Sequence, residues 1–238
     1  MTTLQNILAN FPLVPSTQEF IGNPHVGQRF VNRLTAHPTR SGGARRARML
    51  WEARPVDDAQ ISGDLSRVLF TKDQIAQRIA QLAAEIDADY KGKELLLVGV
   101  LNGAVMVMGD LSRALKSHCQ MDWMAISSYG SGTQSSGVVR ILKDLNTDIS
   151  GMHVLVVEDI IDTGLTLSYL VGNLMSRNPA SLKIMTAFRK PDAAKNAVDV
   201  AYVGFDIPND FVVGYGLDYN GHYRNLTSVA TLAPHVYS

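Results

Sequence analysis

The sequence contains one cysteine, Cys119, among 238 residues, so no internal disulfide and no cysteine-built metal centre is available to it. It has no excess charge of either sign: 22 basic and 22 acidic residues balance, which removes any global electrostatic case for nucleic acid or a membrane surface. No apolar run is long enough to cross a bilayer, and the amino terminus lacks the basic-then-apolar order of a secretory signal. A lone cysteine without such a signal is what a reducing cytoplasm allows, and the expected location is cytoplasmic. Two common nucleotide-binding signatures are also missing: no G-x-x-x-x-G-K-[ST] occurs, and no G-x-G-x-x-G follows a strand-like run.

The first fifty-five residues differ from the rest. Arg29, Arg33, Arg40, Arg45, Arg46, Arg48 and Arg54 gather there with few acids, and Pro12, Pro15, Pro24, Pro38 and Pro55 interrupt any periodicity. Residues 1–59 are therefore expected to be a flexible basic extension, with Met49 an alternative start and anion or RNA binding a second reading. Residues 60–238 are expected to form the folded domain.

That domain alternates helical and extended patterns. Thr71 with Gln74 three residues later makes a capping box, and Ile75, Ile79, Leu82, Ala83 and Ile86 recur at helical spacing, predicting a helix over Lys72–Tyr90. Leu95–Leu101 reads as a buried strand, followed by the small-residue turn Asn102-Gly103-Ala104 and a helix over Val105–Leu115. Asp122–Ser128 and Val138–Lys143 are extended, and the segment between them has no aliphatic anchor. Ser181–Phe188 and Ala201–Phe205 are further strands. Such alternation implies an α/β fold with a mainly parallel sheet flanked by helices.

The chemistry concentrates in one stretch. Val154–Val157 reads as a strand covered on both faces, with Glu158 and Asp159 directly after it and Asp162 beside a Thr163-Gly164 turn. A helix over Leu165–Arg177 follows, stopped by Asn178-Pro179. A strand–turn–helix junction aims unpaired backbone N–H groups at its loop, and the helix dipole adds partial positive charge. Thr163 and Thr166 add hydroxyl donors, and Gly164 lets backbone approach closely. That half of the loop suits a phosphate. The acidic half suits sugar hydroxyls, or Mg²⁺ held directly or through water. Together they point to a phosphorylated sugar; the bland alternative is a strand end with solvated acids.

The run Val-Leu-Val-Val-Glu-Asp-Ile-Ile-Asp-Thr-Gly-Leu-Thr, residues 154–166, resembles the ribose-phosphate signature of the type I phosphoribosyltransferases, and within them the bacterial hypoxanthine-guanine group. The resemblance spans about residues 60–238. It implies that fold, with a small hood over the base built from the first and last parts of the domain. It implies transfer of 5-phosphoribosyl from its pyrophosphate to hypoxanthine or guanine, giving IMP or GMP. By position, Asp162 would be the catalytic base. Glu158, Asp159, Thr163, Gly164, Leu165 and Thr166 would hold the phosphoribosyl group, and Asn102, Gly103 and Arg224 the pyrophosphate. The family turn has lysine where Asn102 stands, and carries an unusual cis peptide. Lys190 would read the purine 6-oxo group, Phe211 would stack on the ring, and Val212 would meet its edge through backbone. Ser128 and Tyr129 match the family's lid. Asp218, with Glu158 and Asp159, would hold Mg²⁺. His222 has no role in the family and reads as a surface residue. Homodimers or homotetramers are expected, with no nucleic acid partner. The alternatives left open are another phosphoribosyltransferase, for xanthine or a pyrimidine, a regulatory protein of the same fold that binds RNA or a nucleotide effector without turnover, and a general nucleotide-binding module.

Overall fold

The computed structural model describes residues 63–128, 139–193 and 198–237. The basic extension expected over 1–59 lies outside them.

Strands β2 (Leu95–Leu101), β3 (Cys119–Ser128), β4 (Val139–Lys143), β5 (His153–Ile161), β6 (Ser181–Arg189) and β7 (Tyr202–Asp206) form a six-stranded sheet in the order β4-β3-β2-β5-β6-β7. Every pairing is parallel except β3 with β4, as the alternating pattern predicts. Helices α2 (Val105–Ala114) and α3 (Leu165–Met175) provide the β2-to-β3 and β5-to-β6 crossovers, and α1 (Lys72–Asp89) leads into β2. The capping box at Thr71 and Gln74 forms as expected.

Strand periodicity divides the core between the two faces of the sheet. Leu95, Leu97, Leu155 and Val157 pack with α1 and α2 on one face. Leu96, Val98, Val154 and Val156 pack with α3 residues Leu167, Leu170 and Leu174 on the other. Both faces are covered, which is why β2 and β5 read as unbroken apolar runs.

A second sheet, antiparallel in the order β1-β9-β8, joins β1 (Leu65–Phe70), β9 (Val229–Leu232) and β8 (Val212–Val213). It unites the first and last parts of the domain, as expected for the hood. A short helix, α4 (Pro234–Tyr237), ends the described chain.

Three boundaries differ from expectation by two residues or more. Strand β3 begins at Cys119 rather than Asp122, paired with β2 from Leu95 onward. Strand β5 does not stop at Val157. It pairs with β6 as far as Ile161, so Glu158 and Asp159 lie inside the ladder rather than beyond it. Helix α3 ends at Met175, because Arg177 and Asn178 close tighter turns onto Leu174 and Met175 and Asn178 then takes a left-handed φ of 54°.

Asp122 pins the start of the segment after β4. It is buried, and its carboxylate accepts from the backbone N–H of Trp123 (2.7 Å), Asn146 (2.7 Å) and Thr147 (3.0 Å). Burial alone would push its pKa up; those N–H donors outweigh it and hold the carboxyl at about 2, below the usual 3.8. The folded-state value is depressed, so its stabilisation is present above the ordinary value and is lost as pH falls through about 2. Asp122→Asn is expected to cost about 2 kcal/mol at pH 7. Urea midpoints of the two proteins should converge as pH is lowered towards 3 and below, and equal midpoints at neutral pH would contradict this.

Candidate active site

The carboxyl ends of β2, β5 and β6 meet at one place, where open parallel sheets bind their ligands. The phosphate loop comes first. Gly164 caps α3 with a left-handed φ of 76°, and no side chain caps the helix. Its first-turn N–H groups therefore face the loop, with the Thr163 and Thr166 hydroxyls beside them. A hollow of about 130 Å³ is lined by Glu158, Ile160, Ile161 and residues 162–167. Its size and N–H lining suit one phosphate with part of a sugar. The hollow gathers Glu158, Asp162, Thr163, Gly164, Leu165 and Thr166, six of the residues expected there.

Asp159 lies elsewhere. Neighbouring strand residues point to opposite faces, so Glu158 turns towards α3 and Asp159 towards the Asn102-Gly103 turn. The Asp159 carboxylate rests directly on Gly103, where a Cβ would overlap it. The Leu101–Asn102 peptide is cis, as the resemblance implies for this turn. On its other side the Gly103 carbonyl abuts Gly216, where a Cβ would again overlap. The turn is wedged between β5 and the Gly214–Leu217 turn.

Asp218 and Arg224 follow that second turn in the chain. Arg224 donates to the Gly216 carbonyl at 2.6 Å and pairs with Asp218 at 2.6 Å; Asp218 also accepts from Gly221 N–H at 2.7 Å. Burial raises the Asp159 pKa; the Ile160 N–H and the Arg224 charge oppose this, and the charge of Asp218 adds to it. The Glu158 pKa is raised well above the usual range, by burial first and by the Asp159 charge second. Glu158, Asp159 and Asp218 are the carboxylates expected at Mg²⁺. Among the described residues no group of three or more ligating side chains forms. Strand alternation sends Glu158 and Asp159 to opposite faces of β5.

The base side is built from β6 and the hood. The Lys190 N–H donates to the Ile161 carbonyl at 2.9 Å, which ties the tips of β6 and β5 together. Its ammonium is then 3.7 Å from the Asp162 carboxylate, with the lysine side chain 11% exposed and the aspartate 52%. Phe211 is 41% exposed and immediately precedes Val212 on β8, an edge strand of the hood sheet. The outward backbone of an edge strand is not spent on the ladder, so it can meet a ligand. Ser128 is the last residue of β3, paired opposite Val139, while Tyr129 lies outside the described residues. His222 is exposed, as expected.

Sequence reasoning missed several residues that complete the site. Gly216 closes on the Asn102-Gly103 turn. Tyr219 and Tyr237 both contact the Phe211 ring. Gly216 lies in a Gly-x-Gly run that signals a tight turn; nothing local marks the two tyrosines.

Comparison with known proteins agrees with this geometry. The family model for the phosphoribosyl transferase domain matches residues 69–220. A hypoxanthine-guanine phosphoribosyltransferase of Mycobacterium tuberculosis is 58% identical over 181 residues, covering 74% of this chain and 90% of that one. Its counterpart in Mycobacterium avium is 55% identical over 190 residues, covering 77% and 94%. A crystal structure of a hypoxanthine phosphoribosyltransferase from Staphylococcus aureus is 45% identical with a TM-score of 0.73, covering 75% of this chain and 97% of that one.

Proposed function

The chain belongs to the phosphoribosyltransferase family, in its hypoxanthine-guanine branch, and from that premise we infer its reaction. It transfers 5-phosphoribosyl from 5-phosphoribosyl pyrophosphate to hypoxanthine or guanine, giving IMP or GMP and pyrophosphate. The observation that supports this most directly is the 3.7 Å approach of Lys190 to Asp162. It joins the residue expected to read the base to the loop expected to hold the sugar phosphate.

The roles follow from chemistry. The α3 N-terminus with Thr163 and Thr166 holds the 5′-phosphate. Glu158, buried beside that loop, accepts from a ribose hydroxyl. Lys190 offers only donors, so it accepts a 6-oxo oxygen as partner and disfavours the 6-amino group of adenine. Phe211 supplies a ring face for the purine, and the β8 edge supplies backbone at Val212. As purine N9 forms its bond to ribose C1, the C1–oxygen bond to pyrophosphate breaks, and Asp162 takes the proton from N7. Arg224 turns from Asp218 towards the leaving pyrophosphate, and the Asn102-Gly103 turn offers backbone amides to it. Asn102 adds no charge there, so Arg224 carries more of the electrostatic work than where the turn holds lysine.

The donor set fits Mg²⁺ in the manner of that ion, which keeps waters and substrate oxygens and takes only one or two carboxylates. Asp218 and Asp159 would hold it. When bound it would neutralise pyrophosphate charge. A cytoplasmic location and a homodimer or homotetramer accord with the single cysteine and with the family; no described helix is long and apolar enough to cross a membrane.

The test is a spectrophotometric assay with 5-phosphoribosyl pyrophosphate, Mg²⁺ and, in turn, hypoxanthine, guanine, xanthine, adenine and uracil. Turnover of hypoxanthine or guanine, with adenine and uracil inert, is the expected result. Folded protein that turns over none of them would point instead to a regulatory protein of this fold.

A further inference from the structure

We propose that Tyr237, near the carboxyl end of the chain, is a positioning residue for the purine, acting by holding one face of Phe211. The inference rests on the base-binding role given to Phe211 above and extends it to a residue that no sequence motif marks.

The two rings are offset-stacked, with centroids 5.2 Å apart and planes 22° from parallel. Tyr219 meets the Phe211 edge at 5.6 Å and 90°. Both Phe211 and Tyr237 remain 41% exposed. Core burial does not account for a pair that leaves this much of each ring in water. What the pair does is restrict an exposed phenyl ring, which otherwise samples several rotamers on a surface strand. A ring has two faces; Tyr237 covers one, so a base has the other.

The backbone makes this hold firm. Leu232 N–H donates to the Phe211 carbonyl at 2.9 Å, and Ala233 N–H donates to the Asp64 carbonyl at 2.7 Å. Val236 N–H then closes on Ala233 at 3.0 Å, turning the chain into α4. Residues 232 and 233 are thus tied to the chain just ahead of the two outer hood strands, and the segment folds back so that Tyr237 arrives over the residue whose carbonyl began the turn. A ring ordered before the base arrives spares that ordering cost on binding, and the gain falls on the purine alone.

The measurement is steady-state kinetics of full-length wild type, Tyr237→Ala and Tyr237→Phe, varying hypoxanthine and 5-phosphoribosyl pyrophosphate separately, with mass by light scattering. Tyr237→Ala is expected to raise KM for hypoxanthine about five-fold, with kcat, the other KM and the oligomer mass changed by less than about two-fold. Tyr237→Phe is expected to restore the wild-type value, since the stack needs the ring and not the hydroxyl. An unchanged purine KM would overturn the proposal. So would a lower one, which would mean that Tyr237 obstructs the base, or a parallel rise in both KM values or a changed mass, which would mean a general structural loss. An inactive wild type sinks the functional reading and this inference with it; an active wild type with an unmoved purine KM sinks only the inference.

Discussion

Asp162→Asn is expected to lower kcat by about 10²-fold or more while leaving both KM values near wild type. The asparagine keeps the shape and the oxygen that a bound substrate meets, but it cannot take a proton from the purine. The position is suited to that task. Asp162 sits at the tip of β5 with about half its side chain exposed, so it can reach a ligand, and Lys190 stands 3.7 Å away. In the proposed reaction Lys190 reads the 6-oxo group, which would bring the adjacent ring nitrogen near the carboxylate. The effect should appear in both directions, because the protonated acid returns the proton when IMP reacts with pyrophosphate. Initial rates in the two directions, on protein with an unchanged far-UV spectrum, would test it. A kcat within about two-fold of wild type would remove Asp162 from the proton transfer and leave it only the charge that faces Lys190.

Gly103→Ala is expected to be strongly damaging although it adds a single carbon. On one side the new methyl would overlap the Asp159 carboxylate; on the other, the Gly103 carbonyl already abuts Gly216. The turn cannot retreat, so Asp159 must move, and with it the charge that Asp218 and Arg224 answer to. Overpacking of this kind costs about 1–3 kcal/mol of stability. Misplacing the pyrophosphate turn by a fraction of an ångström should cost about 10²-fold in kcat/KM for 5-phosphoribosyl pyrophosphate. Gly172→Ala is the control. Gly172 lies on α3 with no atom within 4 Å of the added carbon, so the change should be neutral or slightly stabilising. If Gly103→Ala matched the control in kcat/KM and in Tm, the wedge between β5 and the Gly214–Leu217 turn would have no functional weight.

The sequence carried the elements, their order and the location of the phosphate loop, because each of these is written in residues that are neighbours along the chain. Four apolar residues, three acids and a Thr-Gly turn fall within eleven consecutive positions, and their spacing is itself the chemistry of a strand tip feeding a helix. The capping box at Thr71 and the apolar stripe of α1 are local in the same sense. The resemblance to a known family then supplied roles for Lys190, Phe211, Asp218 and Arg224 that their spacing does not contain. Where the local signal was weakest, at the end of β5, the expectation stopped short: a carboxylate pair looks like the end of a strand, yet the pairing with β6 continues through both residues.

What the tertiary structure alone decided are the contacts between distant segments. The alternation of β5 sends Glu158 to the phosphate loop and Asp159 to the pyrophosphate turn, but which loop waits on each side depends on how α2, α3 and the Gly214–Leu217 turn pack. Gly103 meets Gly216 across more than a hundred residues, and Phe211 meets Tyr237 because the chain folds back after β9. Local periodicity reports which face of an element is apolar. It holds no information on which face of another element it will meet, since that is set by the burial of the whole core at once.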